Sequence, residues 1–114
     1  MELNIASSKT QFEEAVVNFR QSLYQAMSDV ENALSARVQL ARQAELLQGA
    51  LASSRRAEEL YEVRYRSGAV PLRNWLDAQQ QRRAAEIAVA QNRLLRYNNQ
   101  VLLYQALGGD TRLQ

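Results

Sequence analysis

Arg66-Ser67-Gly68-Ala69-Val70-Pro71 is the stretch on which the fold turns. Gly68 can take the positive φ of a tight reversal, and Pro71 cannot continue a helix arriving from behind. Upstream, nothing back to Ser7 or Ser8 interrupts a helix more strongly than Gly49. Its cost there is about 1 kcal/mol against alanine, too little to end a helix of that length. Downstream, the next stop is Gly108-Gly109, followed by a polar tail. The pattern therefore predicts an all-α, long antiparallel helical hairpin, coiled-coil-like. Its parts are a lead-in over 1–7, a long helix over 8–66, a tip at 67–70, a return helix over 71–107 and a tail at 108–114. The two helices would be about 88 Å and 56 Å long at the α-helical rise.

Apolar spacing agrees. Phe12, Val16, Phe19, Leu23, Ala26, Val30 and Ala33 step by four and three, the heptad of a helix–helix seam. Arg37 interrupts, and Leu40, Ala44, Leu47 and Leu51 continue the register. Beyond Leu51 the apolar residues drift onto Ala57, Leu60 and Tyr61, a phase shift of the stutter kind. The return segment reads Leu72, Leu76, Gln79, Arg83, Ile87, Ala90, Leu94, Tyr97, Val101 and Tyr104. Because the return helix is shorter, Phe12, Phe19 and Leu23 overhang uncovered. A two-helix pair is marginal alone, so the isolated chain is expected to be a homo-oligomer, either an antiparallel four-helix assembly or a swapped dimer.

Composition narrows the function. The chain has 114 residues, five Gly or Pro among them, 17 Ala, 13 Gln, and neither Cys nor His. That excludes disulfides, thiolate nucleophiles, imidazole bases and His-ligated zinc. Glu58, Glu59 and Glu62 read as a surface charge row, so no enzyme, metal or cofactor is expected. Net charge is +2, and Lys9 is the only lysine beside thirteen arginines. Acids interleave with the arginines, as in Arg55-Arg56-Ala57-Glu58-Glu59, which favours an ion-paired face over a nucleic-acid surface. No apolar run reaches the ~20 residues of a membrane-spanning helix. Met1-Glu2-Leu3-Asn4-Ile5 lacks the features of a signal peptide.

Within the hairpin, Arg83 lies on the seam, where its stem can pack while its head reaches Glu58 or Glu59 across the turn. That pair is preferred over a solute-contacting role. Trp75 reads as a packing anchor that closes the tip.

Three blocks carry a family resemblance: Arg64-Tyr65-Arg66-Ser67-Gly68-Ala69, Trp75-Leu76-Asp77-Ala78-Gln79, and Leu103-Tyr104-Gln105-Ala106-Leu107-Gly108-Gly109. With Gln25-Ala26 and Val30-Glu31-Asn32-Ala33-Leu34 upstream, they make residues 8–109 resemble the C-terminal half of the TolC-like outer-membrane efflux family. The resemblance implies a homotrimer in the outer membrane of a Gram-negative bacterium, a β-barrel above a long α-helical periplasmic duct. This chain resembles the second repeat's long helix and return helix. No barrel strands, first repeat or lipidated N-terminal Cys are present, so the chain reads as a piece of a larger channel with Met1 an introduced start.

The resemblance further implies that the tip, Arg66, Ser67, Gly68, Ala69 and Val70, docks to a periplasmic adaptor (membrane fusion protein), which joins the duct to an inner-membrane pump. The bare alternative is an αα-turn that needs its glycine. It also places Asp77 near the duct constriction, where three copies form a cation-preferring ring. Relatives with a second Asp three residues earlier would make a stronger ring than Asn74 does here. An ordinary surface Asp paired with Arg73 is the competing reading. At the level of function, the alternatives are a stand-alone coiled-coil interaction module and a basic RNA-binding hairpin.

Overall fold

In the computed structural model, backbone is described for residues 2–108 and side chains from Asn4 onward. Two helices account for nearly all of it, α1 (Glu2–Arg66) and α2 (Leu72–Leu107). The helix α1 takes in residues 2–7, expected as a lead-in, because nothing there breaks a helix. Gly49 lies inside α1, as its small cost allows. Gly108 closes the described chain with its N–H donating to the Tyr104 carbonyl at 2.7 Å. Gly109 and the rest of the expected tail lie outside the described residues. Among the described residues no helix is long and apolar enough to cross a membrane.

The chain divides into two compact units, Met1–Ser35 with Val101–Gln114, and Ala36–Gln100. In the second, the α1 side of the seam follows the expected register. Leu40, Ala44 and Leu47 are half-buried and Leu51 is buried. Where Arg37 was expected to interrupt, Ala36 is half-buried beside it and Arg37 stays exposed.

Of the residues onto which the seam was expected to drift after Leu51, Ala57 and Tyr61 are half-buried. Ser54, Glu58 and Tyr61 carry the four-three step onward, half-buried, while Leu60 is exposed. An apolar-only reading skips such positions, because a polar side chain on a seam is visible only through its partner.

The return helix differs more. Its inward face in this unit is Trp75, Ala78, Arg82, Ala85, Val89, Asn92 and Asn99, all buried or half-buried. Of the expected seam only Gln79 is half-buried. Leu72, Leu76, Arg83, Ile87, Ala90, Leu94 and Tyr97 are exposed. The physical reason is size and pairing. Ala78 is 4 % exposed, and small residues let two helices approach closely. Arg82 and Asn92 bring polar partners that large apolar residues would displace.

Among the described residues of the other unit only Ala33 is buried, with Val16, Ala26, Val30, Leu103 and Ala106 half-buried. Phe12 and Phe19 are 70 % and 69 % exposed. Val101 and Tyr104, expected on the seam, are exposed as well.

Candidate functional site

The tip is built by helix-capping chemistry. Gly68 has φ +83°, the only positive φ among the described residues. Its N–H donates to the Tyr65 carbonyl at 3.0 Å, and the Ala69 N–H donates to the Arg64 carbonyl at 2.9 Å. These nested bonds form a Schellman motif, with Gly68 as the left-handed residue and Ala69 next. The Ser67 hydroxyl also donates to the Arg64 carbonyl, at 2.9 Å, so the last turn of α1 leaves few acceptors bare. The Pro71 carbonyl then accepts from the Asn74 N–H at 3.1 Å, opening α2.

On this frame, Arg66, Ser67, Gly68 and Ala69 are exposed and Val70 is half-buried. A Cβ added at Gly68 would meet nothing within 4 Å, so the glycine answers the backbone's handedness and leaves open space above it. Arg66 pairs with Glu62 one turn earlier at 2.8 Å.

Behind the turn, the rings of Trp75 and Tyr65 lie 5.5 Å apart between centroids at 33°. Such aromatic pairs contribute roughly 0.5–1.5 kcal/mol beyond area burial. The indole Nε1 is buried without a hydrogen-bond partner among the described residues. Asp77 is exposed and joins no ion pair among the described residues, so the pair with Arg73 is not formed. Asn74 is half-buried.

The expected crossing pair is taken by the neighbouring arginine. Arg82, not Arg83, holds Glu58 by an Nε donation to Oε2, and its Nη1 donates to Glu86 Oε1 at 3.0 Å. Arg55 approaches the same Glu86 oxygen at 3.6 Å, which extends the pair to four groups on two helices. Arg83 and Glu59 are exposed and stand outside this network. The cause is the face that α2 turns inward: Arg82 is one heptad from Trp75 and one from Val89, whereas Arg83 is in step with Leu76 and Ala90.

The carboxylates of Glu86 first, then Glu58, raise the Arg82 pKa above the ordinary arginine value. A base with a raised folded pKa contributes its stabilisation below the ordinary pKa and loses it above the raised one. For Arg82 that window closes only in strongly alkaline solution.

Farther from the tip, the Asn92 amide donates to the Leu40 carbonyl at 3.2 Å and to Gln43 Oε1 at 3.3 Å. A buried asparagine on a heptad seam fixes register at some cost in stability. Neither Asn92 nor the pairing of Arg82, Glu86 and Arg55 stands out in an apolar-only reading. A signal was present nonetheless: Ala78, Ala85, Asn92 and Asn99 recur every seven residues, as do Trp75, Arg82 and Val89.

Among the described residues no three acidic side chains gather as a metal site. What the geometry presents is a capped turn with open backbone and an α2 that meets α1 by one face while showing an apolar stripe on another.

Comparison with known proteins bears on this. Residues 2–109 match the family described as "Outer membrane efflux protein". The chain is 37 % identical over 97 residues to the pyoverdine export outer membrane protein OpmQ of Pseudomonas aeruginosa, covering 85 % of this chain and 20 % of that protein. It is 38 % identical over 97 residues to OpmQ of Pseudomonas putida, covering 85 % and 21 % respectively. The chain thus spans about a fifth of the length of these curated relatives. No solved structure matches.

Proposed function

Because this chain belongs to the outer membrane efflux protein family, we propose that it forms part of the helical wall of an export duct. In this reading the duct projects from the outer membrane into the periplasm, three copies complete it, and its lower end meets a periplasmic adaptor of an inner-membrane pump. The observation that carries the proposal is the double face of α2. One heptad stripe, with Ala78, Arg82, Ala85 and Asn92, meets α1, while Leu72, Leu76, Ile87, Leu94 and Tyr97 form a second, exposed stripe on the same helix. A helix with two stripes has a neighbour on each side, as a stave in a closed layer of helices does. A self-contained hairpin needs one stripe only.

The tip supplies the docking end. Gly68, Ser67 and Ala69 offer small side chains and accessible backbone, and Arg66 and Val70 flank them. Asp77, exposed one turn beyond Asn74, is the candidate for a ring at the constriction. Export by such a duct draws its energy from the pump, and pyoverdine, for which both relatives are named, is the first cargo to test.

The experiment is made on the full-length protein. In a planar bilayer it is expected to conduct, and Asp77→Ala is expected to change conductance or block by divalent cations. Gly68→Trp is expected to abolish adaptor capture while circular dichroism stays helical. Adaptor binding unchanged in that variant sinks the docking role, and an unchanged conductance and block in Asp77→Ala sinks the constriction.

A further inference from the structure

The unit from Ala36 to Gln100 is basic, with eleven arginines against six carboxylates, so an exposed surface in it without basic side chains stands out. Residues of α2 seven apart share one face of the helix. In this unit three of the seven heptad rows are exposed at every position. One runs through Leu76 and Tyr97, one through Ile87 and Leu94, and the third is Asp77, Ala84, Gln91 and Asn98. The first two hold large apolar side chains, with Arg83 in one and Arg73 in the other. The third has no side chain of either kind. Asp77 is its single charge, and the rest of it is a methyl group and two uncharged amides.

Chemistry separates the third row from the other two. Rows with leucine, isoleucine and tyrosine gain by being covered, and in a closed layer of helices a neighbour covers them. A row of alanine and amides gains little from burial, because each buried amide needs a partner. It therefore stays against water, and a duct wall has water on both sides. Outward surfaces carry charge at about a quarter to a third of positions, and α2 has such a side. Arg93 and the ion-paired Glu86 share a row that lies nearly opposite Gln91, since two residues turn an α-helix by roughly 200°. The row of Asp77 is the other open side.

Resting on the reading of Asp77 as a ring at the constriction of a duct, we infer that Ala84, Gln91 and Asn98 continue the same lumen face and line the passage beyond the ring. From Asp77 to Asn98 the row extends about 32 Å along the helix. Its amides exchange hydrogen bonds with passing water and solute and hold no fixed charge, so this stretch neither traps nor repels an ion. Discrimination by charge on the lumen face of α2 then rests on Asp77 alone. Beyond it, cationic, anionic and neutral solutes that fit are admitted alike.

Charged thiol labels test this on the full-length protein in a planar bilayer. The present chain has no cysteine, and any accessible thiol elsewhere is replaced by serine. Gln91→Cys, Asn98→Cys, Asp77→Cys and Arg93→Cys are each treated with a cationic or an anionic methanethiosulfonate, and labelling is read by mass spectrometry. For Gln91→Cys and Asn98→Cys the cation-to-anion permeability ratio is expected to fall with the cationic label and rise with the anionic one, each at least about 1.5-fold at low salt. For Arg93→Cys it is expected to stay unchanged. Labels on Gln91→Cys and Asn98→Cys that leave the ratio unchanged, thiols there that never react, or an equal response from Arg93→Cys overturn the lining. A response from Asp77→Cys in that case leaves the constriction standing. Indifference of Asp77→Cys as well overturns the ring together with the lining. A protein that inserts but never conducts overturns the duct reading, and the lining with it.

Discussion

Residues 36–100 and residues 1–35 with 101–114 draw on the same two helices but hold their apolar side chains in opposite ways. In the first unit the helices meet through Leu51, Ala78, the Asn92 amide and the Arg82 network, so its stabilisation lies inside the chain. In the second, Phe12 and Phe19 remain largely in solvent and Ala33 is the only buried residue described. A regular heptad is equally clear in both stretches of α1. What separates them is whether this chain supplies the second side of the seam.

The sharpest test of that contrast is a pair of truncations. Leu51, 5 % exposed, should lose about 2–4 kcal/mol as Leu51→Ala, through lost burial and the cavity left behind. Phe19→Ala removes a larger side chain, yet at 69 % exposure it should cost under about 0.5 kcal/mol in a dilute, monomeric chain. Urea denaturation followed by circular dichroism measures both. If Phe19→Ala costs as much as Leu51→Ala, the overhang is covered in solution. Light scattering at tens of micromolar should then report the homo-oligomer that the bare seam suggests.

A smaller effect probes how the basic unit is held in register. Asn92→Ala deletes the donor to Leu40 and Gln43 and should cost about 1–2 kcal/mol. Asn92→Leu should be near neutral or stabilising in a melt, because an apolar residue suits a buried seam position better in energy than in specificity. Spin labels at Gln48 and Gln91 should then show a broader distance distribution for the Leu variant than for the unaltered chain. A distribution as narrow as the original assigns the register to the Arg82, Glu58, Glu86 and Arg55 network instead.

The sequence was most legible where one residue type has one physical use. Gly68 with Pro71 located the tip, because few other residues make a left-handed cap and a helix start so close together. Leu40, Ala44, Leu47 and Leu51 marked the α1 seam through plain apolar periodicity. The same rule misread α2. Four of its large apolar residues, Leu76, Ile87, Leu94 and Tyr97, are spaced as a seam and lie exposed, while the contact face, Trp75 and Val89 apart, is small or polar. Apolar period identifies a stripe that has a partner somewhere, without saying that the partner is the adjacent helix. Arg82 and Arg83 show the same limit at one residue's resolution: both are arginines beside a seam, and only the inward face of α2 decides which of them meets Glu58.

The last pair of effects concerns the two glycines of the basic unit, which should respond with opposite signs. Gly68→Ala places a side chain at φ +83°, where an L-residue is disfavoured by about 1–2 kcal/mol. With no atom within 4 Å of the new Cβ, no steric cost adds to it. Gly49 is exposed inside α1 with equally open surroundings, so Gly49→Ala should stabilise by about 0.5–1 kcal/mol through helix propensity and a less flexible unfolded chain. Thermal melts of the isolated chain read both. The comparison also separates folding from docking. If Gly68 serves only the Schellman cap, Gly68→Asn, which tolerates the left-handed region, should restore most of the lost stability and leave adaptor capture by the full-length protein intact. Restored stability with capture still lost would mean that the open space above Gly68 is filled by the adaptor, and that the glycine is needed for access as well as for the turn.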